Sequence, residues 1–172
     1  MYAARAQTVA LLETTFHDVH HAGTRIISER TQLASRGLVA ITVPERLALV
    51  DLSDEGLGRI GMSREQLVAT TPEHYACTRE WAVALHERRY GGYRAAGLLW
   101  RSRVAELAET DSMLFADLLR LAGEVAVLFG DRVPGSADWL PGDPHYEDLS
   151  VGEGRLLAEQ ISEQLGAVIV PT

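Results

Sequence analysis

The sequence predicts an α+β fold: a mixed, mostly antiparallel sheet with flanking helices. Three observations carry that expectation. Apolar, β-branched runs at residues 37–43 and 124–129 read as strands. Helical spacing of apolar residues recurs at 7–16, 72–89 and 154–165. The strands do not alternate with helices in the βαβ order that a parallel α/β sheet needs.

The elements follow in order. Residues 2–4 read as a short strand, and 7–16 as a helix with Val9, Leu12, Glu13 and Phe16 near one face. Residues 18–36 mix His, Gly and charge, and read as loop with room for a short helix. Residues 37–43 form a strand ended by Pro44. Residues 47–52 form the next strand, and the short connection predicts an antiparallel pair. Ser53 and Asp54 cap a helical turn through Leu57, and Ser63 caps another over 63–67. Pro72 opens the longest predicted helix, to about Arg89, stopped by Gly91-Gly92. Tyr75, Thr78, Ala82 and Leu85 have helical spacing there, and Tyr75 and Trp81 read as core. Residues 97–100 form a strand entering Arg101-Ser102-Arg103, and 124–129 a strand closed by Gly130-Asp131-Arg132. Residues 133–144 are Pro/Gly-rich and read as loop. A helix at 154–165 and a short apolar end at 167–170 complete the chain.

Composition narrows the function. One domain over 1–172 is expected, and 47% hydrophobic residues suffice for a globular core. Net charge is −8 with the acids dispersed, which argues against direct nucleic-acid or anionic-membrane binding. All 16 basic residues are Arg, so Schiff-base, P-loop and general-base lysines are excluded. The single cysteine, Cys77, excludes an intrachain disulfide and a Cys-based zinc site, and is expected to pack rather than react. No signal peptide and no run of about 20 apolar residues is visible, so a cytoplasmic location is expected.

Several clusters are weak. His17 and His21 are four apart beside Asp18 and His20, but no Glu or third ligand completes a metal site. A polar helix end explains them better, and no metal is expected. His86-Glu87 reads as a solvated helix end. Two residues stand out more. Glu13 lies on an apolar helix face, where desolvation demands a partner or a ligand. Ser102 follows an apolar strand between two guanidinium groups.

Together these segments resemble the RES domain, a toxin family named for its Arg, Glu and Ser. The blocks are Met1-Tyr-Ala-Ala with Ala10-Leu-Leu-Glu-Thr-Thr-Phe-His-Asp18, Leu49-Val-Asp-Leu-Ser53, Tyr75-x-x-Thr-x-x-Trp-Ala82, Gly97-Leu-Leu-Trp-x-Ser-Arg103 and Val127-Leu-Phe-Gly-Asp-Arg132. They occur in family order from residue 1 to about 133, leaving 134–172 as loop and C-terminal helix. The resemblance implies an ADP-ribosyltransferase-like fold. It implies NAD as substrate rather than cofactor, cleaved at the nicotinamide–ribose bond by water or phosphate. It also implies an Xre-type antitoxin partner and a homodimer. Glu13, Ser102 and Tyr2 match the family's catalytic Glu, Ser and strand Tyr. Arg101 and Arg103, with Trp100, are the expected NAD contacts, with Arg101 or Arg103 on the pyrophosphate and pairing of at least one of them with a carboxylate as the alternative.

One departure accompanies the match. The family's Arg precedes its Tyr, whereas Arg5 follows Tyr2. The N-terminal strand or strands are therefore expected to be missing, with a start codon placed too far downstream the favoured explanation. Two rival functions remain: an inactive domain kept as a protein-binding module, and a protein ADP-ribosyltransferase.

Overall fold

The computed structural model describes residues 1–17, 25–43, 46–70, 72–103, 105, 122–133, 135 and 139–171. The elements in chain order are β1 (Tyr2–Ala4), α1 (Gln7–Glu13), β2 (Arg25–Ser28), a π-helical turn (Glu29–Leu33), β3 (Leu38–Thr42), β4 (Leu49–Asp51), α2 (Asp54–Gly58) and α3 (Arg64–Leu67). A 3-10 turn (Pro72–His74) leads into α4 (Tyr75–Glu87), followed by β5 (Arg89–Tyr90), β6 (Tyr93–Arg94), β7 (Gly97–Arg101), β8 (Glu124–Leu128), β9 (Leu140–Tyr146), α5 (Gly152–Gln164) and β10 (Ala167–Val170). The architecture is α+β with mixed sheets.

The main sheet has the order β1-β8-β7-β4. β1 and β7 run antiparallel to β8, and β4 runs parallel to β7. The register places Tyr2, Val127, Leu98 and Val50 in one row, and Ala4, Val125 and Trp100 in the next. Alternation puts both rows on one face. Two core clusters pack against it. Val9, Leu11, Leu12 and Phe16, around and beyond α1, meet Val125, Leu157 and Ile161 in the first. Leu52, Leu57, Leu67 and Leu85 meet Leu98 in the second. Trp100 packs against both.

Local capping follows the sequence. Ser53 accepts the Gly56 N–H, and Ser63 and Gln66 form a capping box. Other expectations are corrected. α1 ends at Glu13 rather than Phe16, because the Thr14 hydroxyl donates to Ala10 O and Phe16 N–H reaches back five residues to Leu11 O. β3 and β4 are not a hairpin: β3 pairs with β9, and β4 with β7. The connection between them has no Asn-Gly or Gly-Gly signal to turn the chain back. Residues 25–28, read as loop, form β2 parallel to β10, a pairing to the far end of the chain that no local pattern announces. Residues 140–146, within and beyond the expected loop, form β9. Its prolines are tolerated because this strand pairs on one side in a two-stranded sheet, with a bulge opposite Val39/Ala40.

The long helix holds a further correction. Only Leu85 of α4 is buried, while Tyr75 and Trp81 are 44% and 42% exposed rather than core. Cys77 is exposed instead of packed. A 13-residue helix docked along one narrow stripe, Thr78, Ala82, Leu85 and His86, leaves the rest of its girdle to solvent.

Candidate functional site

The site is built where α1 ends over β7. Glu13 is the last residue of α1, and no basic residue lies in that last turn. A carboxylate there faces the negative end of the helix dipole, so hydrogen-bond donors must come from elsewhere. They come from β7 and its continuation. The Trp100 indole Nε1–H donates to Glu13 Oε1 at 3.1 Å, and the Ser102 hydroxyl donates to Glu13 Oε2 at 2.6 Å. Trp100 and Ser102 are two apart on an extended chain, so both point to the α1 side.

Ser102 is itself fixed. Its Oγ accepts the Ala105 N–H at 3.0 Å, as a helix N-cap does, and its N–H donates to Gly123 O at 2.8 Å. It is 0% exposed. Its one proton is directed at Glu13, so in this arrangement it acts through the carboxylate. Glu13 is only half-buried. Each carboxylate oxygen has lone-pair capacity for more than a single donor.

Tyr2 supplies a wall. Its ring meets Trp100 edge-on at 6.3 Å between centroids, 85° between planes, and it is 56% exposed. A ring this exposed can stack on a planar ligand.

The structure thus brings Tyr2, Glu13, Trp100 and Ser102 together. It does not bring Arg101 or Arg103 to them. Arg101 alternates to the other face of β7, where its cross-strand neighbour Glu124 is paired with Arg5. Arg103 is exposed and donates to Ala69 O at 3.4 Å. Trp100, expected as an NAD contact, uses its only polar group on Glu13. The signal available in the sequence was chemical: a strand Trp with a half-buried indole needs an acceptor, and Glu13 needed a donor.

Sequence reasoning missed a second cluster. His86 Nε2 lies 3.1 Å from both Asp131 oxygens, and its ring meets Phe129 edge-on at 4.7 Å. Asp131's carboxyl is held below the usual range, first by the His86 hydrogen bond. Residues 18–24, which include His20 and His21, lie outside the described residues. Among the described residues, no three His, Cys, Asp or Glu side chains converge as metal ligands would. No described helix is long and apolar enough to cross a membrane.

The described residues therefore define an α+β protein with a carboxylate-centred site at one helix end. The model of the RES domain family matches residues 1–139, and the chain belongs to that family. No curated protein and no solved structure matches it.

Proposed function

We propose that this RES domain degrades NAD by cleaving the bond between nicotinamide and ribose. The observation that carries the reading is Glu13: a half-buried carboxylate held by two donors, one of which, Trp100, meets the exposed Tyr2 ring. Family membership and the match of Glu13, Ser102 and Tyr2 to the family's residues support it. Kinship of the fold with ADP-ribosyltransferases is part of the same proposal.

The chemistry suits these groups. The C1′–N bond breaks and its electron pair leaves with neutral nicotinamide. The ribosyl centre becomes oxocarbenium-like, as in glycoside cleavage. A fixed carboxylate stabilises that developing positive charge without reorganising during the step. A free lone pair of Glu13 also accepts a ribose hydroxyl. Tyr2 stacks on a ring of the substrate. Water or phosphate then forms the new C1′–O bond and releases a proton. Ser102 and Trp100 support Glu13, and Arg101 and Arg103 have no part in this scheme. An Xre-type antitoxin would neutralise the activity by occupying the site.

The test is NAD turnover, with and without phosphate, in wild type and Glu13→Ala. Loss of the charge-stabilising group is expected to slow turnover by about 100-fold or more. Free ADP-ribose identifies hydrolysis, and its 1-phosphate identifies phosphorolysis. ADP-ribose left on protein identifies the transferase alternative. Binding of a partner without nucleotide loss identifies the inactive module. A wild type that leaves NAD intact under both conditions ends the enzymatic reading.

A further inference from the structure

We infer that Trp100 is a positioning residue: its indole N–H holds the Glu13 carboxylate in its working orientation and ties it to both cores. The inference rests on the NAD reading for its kinetic consequence, but its geometry stands independently. Three observations carry it.

The first is the bond, 3.1 Å from Nε1 to Oε1. An indole has one donor and no acceptor, so this bond exhausts its polar capacity. The second is the setting of Glu13. At the C-terminal end of α1, without a basic residue in the last turn, an unsupported carboxylate would be repelled by the helix carbonyls. Two donors on two different oxygens fix the plane of the group, which one donor would leave free to turn. Ser102 holds Oε2 and Trp100 holds Oε1. The third is the packing of the ring. Trp100 touches the α1 cluster and the cluster under α2–α4, and the Tyr2 ring meets it at 85° between planes. A ring wedged in this way has little rotamer freedom, so the donor is preorganised.

The arrangement separates what touches substrate from what holds it. Tyr2 is open to solvent and Glu13 half-open. Trp100 reaches the reaction through Glu13. Removing the indole N–H should therefore lower kcat and leave NAD binding nearly unchanged.

Two measurements decide the matter. The indole N–H resonances of Trp81, Trp100 and Trp139 are recorded by NMR in labelled wild type, with Trp100→Phe assigning the Trp100 signal by its loss. In Glu13→Ala, which leaves Trp100 itself intact, that signal is expected to move upfield while the other two stay. Kinetically, Trp100→Phe is expected to lower kcat about 10–100-fold with KM for NAD within about twofold. An indole signal indifferent to Glu13→Ala overturns the inference, as does a Trp100→Phe enzyme of wild-type kcat. A rise in KM alone overturns it too, and assigns Trp100 to substrate contact instead. If wild type does not consume NAD, the proposed function fails, and the indole signal alone decides whether Trp100 holds Glu13.

Discussion

An acid at the C-terminal end of a helix is electrostatically misplaced, and Glu13 persists there because β7 delivers two donors to it. Ser102 does more than donate. The same hydroxyl accepts the Ala105 N–H, so one buried atom couples the backbone at residue 105 to the carboxylate. Ser102→Ala removes both bonds and leaves a buried N–H without that acceptor. We expect a loss of about 1–3 kcal/mol in stability, read by urea denaturation, together with reduced NAD turnover. A substrate-contacting serine would behave differently, with altered KM and an unchanged denaturation midpoint. The sequence made Glu13, Ser102, Tyr2 and Trp100 legible as positions, through family order. It did not make their partnerships legible. The two bonds to Glu13 span 87 and 89 residues, and nothing local says that β7 passes under the end of α1. Arg101 and Arg103 show the converse. Proximity to Ser102 in sequence suggested a shared role, but strand alternation carries Arg101 to the opposite face.

At the scale of elements, the site depends on how closely β7 lies to β8. Gly97 permits the approach: a Cβ there would stand 2.2 Å from Val127 O and 3.1 Å from Leu128 Cα, both backbone atoms that cannot swing aside. Gly97→Ala must push β8 away or tilt β7, which shifts Trp100 and Ser102 relative to α1. We expect destabilisation of about 3 kcal/mol, measured by chemical denaturation, with turnover falling alongside. Gly58→Ala is the control. It lies in α2 with open space where the added methyl would stand, and should be neutral or stabilising by up to about 1 kcal/mol. Equal effects at the two glycines would refute the close-approach argument. Element types were largely legible where apolar runs were long, as in β3, β7, β8 and α5. β2 and β9 were not, for different reasons. β2 offers only Ile26 and Ile27 as its apolar pair and finds its partner, β10, across most of the chain. β9 carries Pro141, Gly142 and Pro144, which signal loop in isolation and are accommodated because, among the described residues, it pairs along one edge with β3.

For the whole molecule, three separated carboxylates make folding sensitive to acid. Asp51 accepts from the Ser53 N–H at the end of β4. Asp131 faces His86. Asp148 joins two distant parts of the chain: it accepts from Ser150 N–H and Oγ before α5, and from Ser35 N–H after the π-helical turn. Each carboxyl is held below its ordinary value of 3.8, by hydrogen bonds first of all. The sign follows from linkage. A group with a depressed folded-state value binds its proton more readily when unfolded. Its stabilisation is complete above 3.8 and is lost as pH falls through the lower folded-state value. Below the isoelectric point of about 5.2 the net charge turns positive, so acid also adds self-repulsion that acts in the same direction. Comparing Asp148→Asn with wild type largely cancels that shared contribution, since the variant differs by one charge. The variant should be less stable at about pH 6, and the gap in thermal midpoint should narrow as pH drops below about 4. A gap that stays constant through that range would mean that the ionised form of Asp148 contributes nothing beyond its shape.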